Sequence, residues 1–136
     1  MDNKIFLSIA ILTYNRASSL ENLLNNILPQ AKISKEGVQV CISNNGSEDN
    51  TREVVAGFQK KYPDLIKYNE NKENLGFDAN MVKALEMSDG NFGWTFGDSS
   101  LYRTNYCRNS LGSYRFRNFA YFRICNRSFD FFDSAA

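Results

Sequence analysis

The sequence predicts an α/β fold built on an open, mostly parallel sheet flanked by helices. Three observations point there: short β-rich apolar runs over 5–12, 38–43, 65–68 and 92–96, amphipathic helical patterns between them, and turn-formers clustered where the runs end. Strands that alternate with helices in this way are joined by right-handed crossovers.

Ile5 to Leu12 is almost entirely apolar, which suits a strand covered on both faces rather than an alternating hairpin strand. Ser18 and Glu21 have capping-box spacing, and Leu20, Leu23, Leu24, Ile27 and Leu28 recur at helical intervals up to Pro29, predicting a helix of about a dozen residues. Val38 to Ser43 is the second strand, closed by Asn44, Asn45, Gly46 and Ser47. Val54, Val55, Phe58 and Tyr62 mark a second helix over 50–62, capped by Asp49 and stopped by Pro63. Leu65 to Tyr68 forms a short third strand. A polar stretch then ends in Gly76, and Asp78 caps a third helix with Met81, Val82 and Leu85 on its apolar face. Phe92 to Phe96 is the fourth strand, leading into Gly97 and Asp98. Ligands of open α/β sheets bind beyond the carboxyl ends of the strands, so the loops of interest are 13–16, 44–49, 74–78 and 97–100.

Composition narrows the function classes. The 136 residues fit one domain, of roughly 100–200 residues, and 43% of them are apolar. With 16 basic and 15 acidic side chains the net charge is +1, so no overall field holds nucleic acid, and no nucleic-acid partner is expected. The apolar start is far shorter than the ~20 residues of a spanning helix and lacks signal-peptide features, which predicts a cytoplasmic chain. Cys41, Cys107 and Cys125 never form a C-x-x-C pair, and the absence of histidine excludes Ser-His and Cys-His nucleophiles and His metal ligands.

The composition changes at residue 100. Residues 1–100 hold eight Lys and two Arg, whereas 101–136 hold no Lys, six Arg and ten of the nineteen aromatic residues. The sequence therefore divides into a region 1–100 and an atypical Arg- and aromatic-rich tail 101–136, read either as an unusual native segment or as an out-of-frame or truncated end. Taken at face value, that tail composition also suits stacking on single-stranded nucleic acid or lying on a membrane, although nothing in residues 1–100 supports it.

Four loop segments, LSIAILTYNR, VQVCISNNGSEDNT, NENLGFDANMVKAL and GWTFGDSS, resemble the inverting family 2 glycosyltransferases in order and spacing over about the first 100 residues. The resemblance implies the Rossmann-like, nucleotide-sugar-binding half of a GT-A fold. It places Thr13, Tyr14 and Arg16 in the nucleotide pocket, with Tyr14 against the base and Arg16 facing diphosphate charge. Asn44 and Asn45 fall where the family often carries carboxylates that accept a base N–H, a bond that an amide oxygen can also accept. Asp49 and Thr51 are expected to start the following helix rather than touch donor. Asn74, Gly76 and Asn80 match an N-x-G-x-x-x-N pattern in which glycine allows a positive φ or a close approach.

Asp98-Ser99-Ser100 stands where the family has an aspartate-rich motif for Mg²⁺ or Mn²⁺, and Asp98 is its one remaining carboxylate. No residue matches the family's catalytic base. The resemblance implies transfer of a sugar from a nucleotide-diphosphate sugar, a UDP-sugar first, to a hydroxyl of a glycan or lipid-linked acceptor, in surface polysaccharide synthesis. Peripheral association with the inner face of the membrane belongs to the same expectation. The rival reading, motivated by Ser99 and Ser100, is an inactive fragment or pseudoenzyme that only binds nucleotide.

Overall fold

The apolar run of the first strand is long enough to pass through the middle of a sheet, and that is where it lies. A computed structural model describes residues 4–34, 37–97, 106–108, 114–116 and 122–123. The elements run β1 (Ile5–Thr13), α1 (Ala17–Ile33), β2 (Gly37–Asn44), α2 (Thr51–Lys61), β3 (Ile66–Glu70), α3 (Phe77–Glu86), β4 (Phe92–Gly97), β5 (Tyr106–Arg108), β6 (Tyr114–Phe116) and β7 (Phe122–Arg123). The main sheet has the order β3-β2-β1-β4-β7, with the first four strands mutually parallel and β7 antiparallel to β4 at the edge. β5 and β6 form a separate antiparallel pair, so the tail contributes strands that its composition did not predict.

Alternation along β1 sorts its side chains between two layers. Leu7, Ile9 and Ile11 join α1 residues Leu20, Leu23, Leu24, Ile27 and Leu28, together with Val40, Ile42, Val55 and Trp94, in the larger core. Ala10 and Leu12 face the other way, where they meet Ala84, Met81 and Leu85 of α3. Small alanines on both sides let α3 sit close to the sheet. Val82, expected on the apolar face of α3, is 50% exposed because α3 presents Ala84 to the sheet instead.

Three helix boundaries differ from the sequence reading, each for a physical reason. Pro29 lies inside α1, which continues to Ile33. The ring is on the exposed side, and burial of Ile27, Leu28 and Ala31 on the opposite face carries the helix past it despite the cost of roughly 3 kcal/mol that an interior proline brings. The Ser18 and Glu21 capping box does not form, since α1 starts at Ala17 with Arg16 as its cap residue and no side-chain bond from it. Asp78 likewise sits within the first turn of α3, whose cap residue is Gly76. Asp78 still complements the positive end of the helix dipole there.

Strand order reverses at β1: from it the chain builds outward through β2 and β3 on one side and β4 on the other. Leu12 pairs with Gly97 and Thr13 with Asn44, so the carboxyl ends of all three central strands lie side by side. That reversal is a topological switch point, the place where such sheets open a crevice. Among the described residues no helix is long and apolar enough to cross a membrane.

Leu24, fully buried between α1 and the sheet, tests the larger core. Leu24→Ala is expected to lower unfolding free energy by about 2–5 kcal/mol in urea titrations; a loss well under 1 kcal/mol would contradict the packing described.

Candidate functional site

At the switch point the first two loops are held together by four bonds. The Asn45 N–H donates to the Thr13 carbonyl at 2.9 Å. The Asn15 N–H donates to Ser47 Oγ at 2.9 Å, and Asn15 Oδ1 accepts from the Glu48 N–H at 2.7 Å. The Ala17 N–H donates to Asp49 Oδ2 at 3.0 Å. Asn15 holds φ at 49°, a left-handed conformation that asparagine tolerates better than most residues, and here its side chain helps to fix it. Its chain neighbours Tyr14 and Arg16 are both exposed at the rim, Tyr14 by 42%.

Asp49 thus serves two helices. Its Oδ1 accepts from the Thr51 N–H at 3.1 Å and from the Thr51 hydroxyl, starting α2 as expected, while its other oxygen caps α1 in place of the missing capping box. Partial burial pushes its carboxyl up, but the bonds from the Thr51 hydroxyl and from the Ala17 and Thr51 N–H groups outweigh this and leave it below the ordinary 3.8.

Glycine joins the second loop to the third. Gly46 has φ of 74°, and a Cβ there would lie 2.7 Å from the Glu73 carbonyl carbon, so both conformation and space require glycine. Gly76 has φ of 87° with ψ of 165°, a region essentially reserved for glycine, but open space surrounds it. Of the two roles expected of Gly76, the positive φ is the one present.

Asn44 and Asn45 are buried and face into this framework. Asn44 Oδ1 accepts from the Ser47 N–H at 3.0 Å, and its amide donates to the Tyr68 hydroxyl at 2.9 Å. Tyr68 in turn donates to Glu70 Oε2 at 3.1 Å, and Arg52 grips Glu70 with both arms of its guanidinium, Nε to Oε2 at 2.8 Å. The Arg52 bond is the main reason that the Glu70 carboxyl is held below its usual value. Asn45 Oδ1 accepts from Asn71 Nδ2 at 3.0 Å and the Leu75 N–H at 2.9 Å, while its amide donates to Asn74 Oδ1 at 2.8 Å and the Gly76 carbonyl at 3.2 Å. All four hydrogen-bonding positions of the Asn45 amide are therefore filled from within the chain.

A ring of amides lies beneath. Ser43 Oγ donates to Asn80 Oδ1 at 2.7 Å, Asn71 Nδ2 donates to the same oxygen at 3.0 Å, and Asn69 Nδ2 donates to both Asn71 Oδ1 at 3.0 Å and Ser43 Oγ at 3.1 Å. Asn15 fell within the pocket stretch 13–16 but was given no role of its own, and Asn69 and Asn71 were given none. The density of asparagine over residues 69–80 was the signal available.

The structure thus brings Thr13, Asn44, Asn45, Asn74 and Gly76 into one bonded unit and sets Tyr14 and Arg16 beside it. Asp98, with Ser99 and Ser100, lies outside the described residues, immediately after Gly97. Among the described residues no three His, Cys, Asp or Glu side chains are grouped to hold a metal ion. A small apolar cavity of about 20 Å³ lies at the other end of the sheet, beneath α1 and between Leu7, Ile9, Ile27 and Val38. It is remote from the rim.

The Glycosyl transferase family 2 profile matches residues 8–114, a span that runs past residue 100. Abequosyltransferase RfbV of Salmonella typhimurium is 38% identical over 93 residues, covering 68% of this chain and 28% of its own length. An uncharacterized glycosyltransferase of Mycoplasma genitalium is 32% identical over 92 residues, covering 68% of this chain and 30% of its own. The chain spans less than a third of these relatives. Among solved structures, the mannosyltransferase PcManGT of Pyrobaculum calidifontis, in complex with GDP-Man and Mn²⁺, superposes with a TM-score of 0.66 at 23% identity, over 74% of this chain and 29% of that one. TarS 1–349 of S. aureus with UDP-GlcNAc gives 0.59 at 23% identity, over 70% and 27%. These share the GT-A fold.

Asp49→Ala is expected to cost about 1 kcal/mol of stability near neutral pH, the usual worth of a cap. Because the folded carboxyl lies below 3.8, this contribution is complete above the ordinary carboxylate range and is lost as the pH falls below it. Urea titrations of the two proteins should therefore converge at the acid end, and a gap independent of pH would contradict this role.

Proposed function

The chain belongs to Glycosyl transferase family 2, and from that premise we propose that its switch-point rim holds the nucleoside diphosphate of a sugar donor, a UDP-sugar first. The observation that carries the reading is the joining of three loops at the carboxyl ends of β1, β2 and β3, with Tyr14 and Arg16 exposed beside them. In this reading the Tyr14 ring lies against the flat base, and the Arg16 guanidinium meets diphosphate oxygens as a two-pronged donor. The start of α3 adds N–H groups and the positive end of a helix dipole.

Asn44 and Asn45 take a different part from base recognition. With their amides committed to Ser47, Tyr68, Asn71, Leu75, Asn74 and Gly76, they form the floor on which the nucleotide rests. A neutral amide suits that place. Burying it costs less than burying a carboxylate, and it does not repel a diphosphate.

The reaction proposed for the whole protein is inverting transfer. A hydroxyl of a glycan or lipid-linked acceptor attacks the anomeric carbon from the side opposite the leaving group. The new C–O bond forms as the bond to the diphosphate breaks, and the hydroxyl proton passes to a base that this chain's residues do not identify. Surface polysaccharide synthesis, at the cytoplasmic face of a membrane, is the setting proposed with it.

A divalent cation supplies charge neutralisation to such a leaving group when bound. The loop after β4 offers it one carboxylate, Asp98, beside the hydroxyls of Ser99 and Ser100, a thin donor set for a hard cation.

Calorimetric titration with UDP and with GDP, each with and without Mn²⁺, tests the proposal. UDP is expected to bind, and Tyr14→Ala to weaken it about tenfold, within the 1–3 kcal/mol typical of a base stacked on an aromatic ring. Ser99→Asp with Ser100→Asp is expected to strengthen the metal-dependent part. No binding of either nucleotide would sink the reading, GDP alone would move it to a guanosine donor, and binding untouched by Mn²⁺ would favour a nucleotide-holding pseudoenzyme.

A further inference from the structure

Asn71 bonds to three separate parts of the rim. It is 7% exposed. Its amide donates to Asn45 Oδ1 and Asn80 Oδ1, both at 3.0 Å, its Oδ1 accepts from Asn69 at 3.0 Å, and its N–H donates to the Asn44 carbonyl at 2.8 Å. β3, α3 and the loop after β2 meet in that one side chain.

The orientation of this network follows from its chemistry. Asn80 Oδ1 already receives the Ser43 hydroxyl, while Asn80 Nδ2 donates to the Ser43 carbonyl at 3.1 Å, so turning the Asn80 amide over would set its oxygen against that carbonyl, one acceptor facing another. Asn71 must therefore present its NH₂ group to Asn80, and the same group then meets Asn45 Oδ1. This fixes which way the Asn45 amide points. Only in that orientation can Asn45 Oδ1 receive the Leu75 N–H and Asn45 Nδ2 hold Asn74 and Gly76.

We infer that Asn71 is a positioning residue: through the Ser43–Asn69–Asn80 ring it sets the Asn45 amide, and through Asn45 it fixes the entry to α3 before any donor arrives. The inference rests on the nucleotide reading given above and extends it to a residue that never touches the ligand. Every group in the ring is uncharged. The loop is therefore ordered without placing a carboxylate under the diphosphate, and binding need not order it anew.

Hydrogen exchange and UDP titration of the full chain test this together. In Asn71→Ala the Leu75 amide is expected to exchange at least tenfold faster while those of Val40 and Ile42, in the core of β2, keep their rates. UDP affinity should fall about tenfold at a temperature where the melt shows the variant folded. Asn69→Ala, which removes two bonds of the ring but leaves Asn71 in place, should shift both readouts the same way by less, and it serves if Asn71→Ala does not fold. Unchanged exchange at Leu75 in both variants, or faster exchange with UDP affinity retained, would overturn the inference. If the unaltered chain binds neither UDP nor GDP, the nucleotide reading fails, and the exchange rates alone decide whether Asn71 orders the loop.

Discussion

A parallel sheet must stop somewhere, and where it stops its chain leaves the ladder with polar groups still to be satisfied. Here the end of β2 is the critical place. Asn44 and Asn45 leave the sheet buried, and their backbone and side-chain groups are bonded to β1, β3, the third loop and the start of α3. Remove that bonding and buried amides are left unpaired, each costing about 1–3 kcal/mol. The shape of the rim is thus set by the need to satisfy the polar groups at one strand end.

Much of the fold was legible because burial on both faces leaves a strong mark. The run from Ile5 to Leu12 suited a strand buried on both faces and lies mid-sheet, and the leucine stripe of α1 faces one layer. What escaped were features decided by tertiary context. Pro29 did not end α1, because the stripe continued to Ala31 on the buried side while the ring faced solvent. The cap of α1 came from Asp49, thirty-two positions away in sequence, which no local capping pattern announces.

The site was legible in outline and not in its details. Thr13, Asn45, Asn74 and Gly76 were found through segment order, and they do meet. The direction of the amides was not readable, since an asparagine in a loop motif looks the same whether it faces a ligand or its own chain. Only the hydrogen-bond inventory distinguishes the two. Of the carboxylates in this region, Asp49 is taken up by the starts of two helices, and Glu70 sits farther out, where Arg52 balances it and Tyr68 links it to Asn44.

The central claim is that the carboxyl-end rim, and no other surface, receives the nucleotide. Mapping amide NMR shifts of the full chain during UDP addition tests it most directly. The account predicts changes confined to residues 13–17, 44–49 and 74–78 of the described chain. Changes centred instead on the α1 side near Ile27 and Val38, at the opposite end of the strands, would contradict it.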